Sequence, residues 1–179
     1  MQLPMYVFAV DTFVPVLRTL SELLDKAEAH ARERGLDVAV LVNARLAPDM
    51  YPLSWQIQLA CRIAAEGAAR LTGRAAPTLD PRELTFAELK ALIAQTADAL
   101  ATTTADAFAG SQERPIEVPL QGPLILQSDG LHYLCRWVLP HFYFHVVTAY
   151  DILRHNGVVI GKRDYMSHVV EFIRQRADG

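Results

Sequence analysis

The sequence predicts an all-α chain: a bundle of four long helices, with a short hairpin or extended insert between the third and the fourth. Three observations predict it. Apolar residues recur at helical spacing through four long segments, proline and glycine gather between those segments, and only one internal stretch, Ala105 to Ser128, loses the helical period. At 179 residues, 51% hydrophobic and 21% charged, the chain suits one domain able to bury a real core.

The first helix is expected from about Met5 to Arg34, with Phe13, Val16, Leu17, Leu20, Leu23, Leu24 and Ala27 on one face. Gly35 stops it. Pro15 removes an internal hydrogen bond, which predicts a kink or a frayed first turn. A shorter segment runs from about Asp37 to Pro48. The second long helix starts at Pro52-Leu53-Ser54 and continues to Gly73, with proline at its start and glycine at its end. The third begins at Thr85, where Glu88 three residues on completes a capping box, and runs to about Thr103. Ile116 to Leu120 and Leu124 to Leu126 flank Gln121-Gly122-Pro123, which suggests a hairpin. Asp129 caps the fourth helix, which ends at His155-Asn156-Gly157, and Pro140 predicts a bend within it. Tyr165 to Arg176 is amphipathic enough for a short fifth helix.

Charge and cysteine usage exclude several function classes. The formal net charge is -3, and no Lys/Arg cluster exceeds Lys162-Arg163, so the footprint of a nucleic-acid binder is absent. The N-terminal segment has no basic n-region, and Asp11 and Arg18 interrupt its apolar residues; neither a signal peptide nor a membrane span is expected. Cys61 and Cys135 both fall within apolar helical patterns and read as buried, reduced thiols. A cytoplasmic protein is the default expectation.

The densest chemistry lies in His141-Phe142-Tyr143-Phe144-His145. Four residues is just over one helical turn, so both imidazoles leave the helix on one side, about 6 Å apart along its axis. That spacing lets two His share a metal ion. It equally suits two core His satisfied by carbonyls or carboxylates, or a pair partly at the surface. The corner before the second helix, Asn43 to Pro52, is stiffened by Pro48 and Pro52 and carries Asp49, which would reach a metal, cap a helix or pair with Arg45. Tyr51 and Trp55 flank it, and Gln58 is expected to line a polar pocket beside the two His. His155 and His30 fit helix C-terminal caps, and His132 and His168 are weak ligand candidates. No Ser-His-Asp arrangement, glycine-rich phosphate loop or CxxC pair is present.

Three runs carry a resemblance: Leu41 to Leu53; His141 to His145 with Thr148-Ala149-Tyr150; and Ile152 to Val158 with Gly161-Lys162-Arg163-Asp164. They resemble an uncharacterised bacterial family, domain of unknown function 1993, within the DinB/YfiT-like superfamily of proposed metalloenzymes. The resemblance spans residues 1 to 166 and leaves 167 to 179 as a C-terminal helical extension. It implies a four-helix bundle with a long crossover between helices two and three. Metal-binding members hold a divalent ion with one His from helix two and an i, i+4 pair from helix four. His141 and His145 match the pair, whereas the helix-two position falls at or near Gln58. Asp49, or a water held by Gln58, is the substitute ligand this leaves.

The expected function is therefore a bundle without a tight metal site, acting as a small-molecule-binding or dimerisation module. The alternative is a hydrolase or thiol transferase that uses Zn, Ni or Mn at His141 and His145, so whether the chain is an enzyme stays open. A homodimer formed through the helix-four aromatics is expected, with no nucleic-acid or membrane partner.

Overall fold

In the computed structural model, residues 4–78 and 82–174 are described. Four long helices, α1 (Met5–Arg34), α3 (Leu53–Leu71), α4 (Phe86–Ala101) and α6 (Leu139–His155), pack around one core. Short α2 (Ala39–Asn43) lies in the α1–α3 connection. The chain is mostly helical with one small sheet. Helix α3 is central: it packs against α6 on one side and α4 on another, while α1 packs mainly on α4. Phe13, Leu17, Leu20, Leu24, Leu53, Ile57, Leu89, Ile93 and Phe142 are fully buried between them. Phe13 of α1 meets Phe142 of α6 edge-on, with ring centroids 4.9 Å apart.

Local signals set the helix ends. Gly35 takes a left-handed conformation (φ 63°), and the backbone turns back onto the Ala31 and Arg32 carbonyls. The Thr85–Glu88 capping box forms as expected: the Thr85 N–H and hydroxyl both donate to Glu88 at 2.8 Å. Helix α1 stays helical through Pro15 from Met5 onward, so its first turn is not frayed. Packing of Ala9, Val10 and Phe13 into the core holds that turn despite the missing amide.

The insert does form a hairpin. Strand β1 (Pro115–Pro119) pairs antiparallel with β2 (Ile125–Asp129), placing Ile116 opposite Ser128 and Val118 opposite Leu126. Arg70 ties it to α3 by donating to the Glu117 carbonyl at 3.0 Å.

After β2, Asp129 caps a single turn, α5 (Gly130–Tyr133), by accepting from the His132 N–H at 2.8 Å. Leu134–Val138 then winds as a wide π-type stretch before α6. Pro140 explains it, because a missing donor at the start of α6 leaves the preceding turn free to widen. Leu134 and Val138 point inward there, which turns Cys135 outward. The expectation that both cysteines are buried is thus corrected: Cys61 is buried and Cys135 is exposed. Val138 also packs onto Gly67 of α3, where a β-carbon would lie 2.6 Å from Val138 Cγ1. That close approach seats the π-type stretch, at the entry to α6, directly on α3.

The tail is not one amphipathic helix. A single turn, α7 (Lys162–Tyr165), is capped by Asp164 accepting from Gly161 N–H, and a 3₁₀ segment follows over Ser167–Phe172. Side-chain bonds to α1 redirect the chain: Ser167 Oγ lies 2.9 Å from Thr19 Oγ1 and donates to Glu22 at 2.7 Å. Arg176, the expected end of that helix, lies outside the described residues. No helix of the described residues is long and apolar enough to cross a membrane.

Candidate functional site

The two His of α6 lie along its seam with α3. Both are half-buried, with Phe142 and Val146 beside them turned fully into the core. Opposite, α3 offers Gln56, which is 1% exposed. Its amide is oriented from both ends. Nε2 donates to the Tyr51 carbonyl at 3.0 Å, which leaves Oε1 to accept from His145 Nδ1 at 2.8 Å. His145 therefore carries its proton on Nδ1 and keeps a lone pair on Nε2. A hydrogen bond from the corner at Tyr51 thus reaches the imidazole through one buried amide.

Electrostatics keep both imidazoles neutral. Burial, then His141, then Arg62 push the His145 pKa down to about 4. Burial, with Arg62 adding to it, lowers that of His141 as well. The Arg62 guanidinium sits on α3 between solvent and core. Its Nε lies 3.4 Å from Glu66 Oε1 one turn on, an ion-pair distance, yet Nε–H is buried and makes no hydrogen bond. Trp137 leans on His141 with ring centroids 4.3 Å apart, and Phe144 meets His145 edge-on at 5.2 Å.

The remaining sequence-predicted residues distribute differently. Gln58 is buried but donates to the Ser54 carbonyl at 3.1 Å and lines a cavity of about 440 Å³ with Arg82, Leu84, Leu92 and Gln95 on the α4 side. It lies two positions along from Gln56, which is about 200° of helix, so the two amides face different neighbours. Gln56, not Gln58, is the amide bonded to an imidazole of the pair. Asp49 is exposed and its carboxylate makes no hydrogen bond or ion pair among the described residues. Arg45, its expected partner, donates to the Met50 carbonyl. Tyr51 and Trp55 stack on each other where the corner enters α3, centroids 5.5 Å apart and planes 21° apart. Among the described residues, no group of three His, Cys, Asp or Glu is placed to hold a metal ion.

The other His settle elsewhere. His132 pairs with Asp129 at 2.8 Å, His168 lies 3.4 Å from Thr19 Oγ1, and His30 packs beside Gly157. His155 ends α6 and, with Asn43, Arg45 and Asn156, lines an open depression of about 550 Å³. Gln56, Arg62 and Trp137 were not singled out as site residues by sequence reasoning. Their only sequence signal is polar or aromatic character on helices next to the His pair.

The family model for a domain of unknown function, DUF1993, matches residues 5–166. The chain belongs to the DUF1993 family. Solved structures similar to this DUF1993 chain include the crystal structure of a DinB family member protein from Shewanella denitrificans. It is 41% identical, with a TM-score of 0.84, over 90% of this chain and 91% of that one. Comparison with curated proteins gives no match. The DinB-like resemblance carried by the three sequence runs is thereby shown, and with it a family whose activity is unassigned.

Proposed function

We propose that this DUF1993 protein is a small-molecule-binding four-helix bundle whose α3–α6 seam holds a polar ligand without a resident metal ion. The observation that carries the reading is the bond between His145 and Gln56. It fixes a neutral imidazole with Nε2 as an acceptor, while Arg62 Nε–H, buried and unbonded, offers a donor on the same helix as Gln56. A small molecule with one acceptor and one donor group, such as a hydroxy acid or an amide, is chemically complementary to a guanidinium donor and an imidazole acceptor. Trp137 supplies an apolar ring against His141.

A divalent ion fits these residues poorly. Two imidazoles are neutral and available, as a metal requires, but a third ionisable ligand is not grouped with them among the described residues. The amide that would approach from α3 is occupied by His145 and by the Tyr51 carbonyl, and the Arg62 cation lowers both His pKa values.

Thermal-shift screening against a panel of hydroxy acids and amides, with and without zinc chloride, tests the reading. The expected result is stabilisation by individual panel compounds that is lost in Arg62→Gln and His145→Ala. Strong stabilisation by zinc alone, abolished by His141→Ala, would instead favour a metal-dependent hydrolase or thiol transferase.

A further inference from the structure

The cavity of about 440 Å³ on the other side of α3 is walled by α3, by α4 and by the crossover that joins them. Its size is that of a small-molecule site. The group at its floor is Gln58, 1% exposed. Nε2 is spent on the Ser54 carbonyl, which fixes the amide's orientation and turns Oε1 away from that carbonyl. Oε1 accepts no hydrogen bond among the described residues. It is not sealed either, for the sealed, unbonded side-chain atoms there are Arg62 Nε, Arg70 Nε and Ser111 Oγ. An acceptor on a buried side chain therefore opens onto the cavity. A leucine at this position would fill the α3–α4 contact without the cost of an unmet oxygen.

The walls and the opening differ from the floor. Glu88, Ala91, Leu92 and Gln95 recur at helical spacing and lay one face of α4 along the cavity. Ala91 and Leu92 of that face, with buried Leu84 from the crossover, make the middle apolar. Arg82 is exposed at the opening, where Nη1 lies 3.4 Å from Glu88 Oε1. Glu88 is itself held by the Thr85 N–H and hydroxyl, so it anchors the guanidinium. Arg82 has further N–H donors to offer an anion. A water on Oε1 would meet the floor but leave the apolar middle wet.

We infer that this cavity is a second ligand site, separate from the α3–α6 seam, that takes a small monocarboxylic acid with an apolar body and one N–H or O–H at its far end. The donor meets Gln58 Oε1, the body lies against Leu84 and Leu92, and the carboxylate pairs with Arg82. Glu88 beside Arg82 disfavours a second negative charge on the ligand.

Titration calorimetry on the full chain tests it, with indoleacetate and para-hydroxyphenylacetate as probes. At least one of the two is expected to bind. Its methylated counterpart, N-methylindoleacetate or para-methoxyphenylacetate, should bind about ten-fold or more weakly, since the donor is gone while the protein is untouched. Gln58→Leu should remove the preference for the donor-bearing probe. Arg82→Gln should weaken the acid by about ten-fold and leave indoleacetamide unaffected. His145→Ala and Arg62→Gln should change none of these affinities, which separates this site from the seam. Binding by neither probe, equal affinity for the methylated compounds, or binding lost in His145→Ala but kept in Gln58→Leu would each overturn the proposal.

Discussion

His145 Nδ1 and Gln56 Oε1, eighty-nine residues apart in sequence, lie 2.8 Å apart across the α3–α6 seam. The same Gln56 side chain holds the Tyr51 carbonyl from its other end. This single amide joins the proline-bounded corner, helix α3 and the histidine pair of α6, and it decides which imidazole nitrogen carries the proton.

Removing that amide should be costly. Gln56→Ala leaves a half-buried Nδ1–H and a carbonyl without their partner, and a loss of about 1–3 kcal/mol in unfolding free energy is expected. Gln56→Glu should instead raise the His145 pKa, because a carboxylate favours the imidazolium. Chemical denaturation and a proton–nitrogen NMR titration read the two effects.

Acidification should weaken the fold through His145. Its folded pKa of about 4 lies below the ordinary histidine value near 6.5, so the unfolded chain binds the proton more tightly. The stabilisation is complete above about pH 6.5 and is lost as the pH falls toward 4. Partial exposure to solvent trims it to about 1–2 kcal/mol. The Asp164, Glu88 and Asp129 carboxylates are held below their usual range and add losses at lower pH. The difference between wild type and His145→Gln isolates the histidine contribution: stability between pH 7 and pH 5 should fall less in the variant.

The two thiols should separate cleanly in reactivity. Cys135 is exposed, whereas Cys61 is buried and its thiol is pushed up to about 12 by desolvation. Mass spectrometry after brief alkylation of the native protein should find Cys135 modified and Cys61 intact, with both modified in denaturant. Equal native rates would contradict the outward turn of the π-type stretch.

Much of this was legible in the residues. The extents of α1, α3 and α4, the Thr85–Glu88 cap and the hairpin around Gly122 follow from local period and turn chemistry. What was not legible depends on which helix lies where. Gln56 and Gln58 differ by about 200° of rotation, and only the placement of α6 against one face and α4 against another assigns them. Cys135 was misplaced because Pro140 widens the turn before it, which breaks the regular phase used to read the stripe. The expected helix from Tyr165 onward rests on pattern alone, while Ser167, bonded to Thr19 and Glu22, redirects the described part of the tail.

Helix spacing should tolerate no extra carbon at Gly67. Gly67→Ala places a methyl 2.6 Å from Val138 Cγ1, and a loss of about 1–3 kcal/mol is expected as the π-type stretch is pushed off α3. Val138→Ala combined with it should recover part of that loss. A double-mutant cycle in urea measures the coupling.

Elemental analysis of untagged protein, equilibrated with zinc, nickel and manganese salts and then desalted, bears most directly on the seam. Two neutral imidazoles beside a guanidinium, with the facing amide already engaged, should retain less than about 0.1 equivalent of any of the three metals. Retention of one equivalent, lost in His141→Ala and His145→Ala but not in surface-histidine variants, would contradict the account.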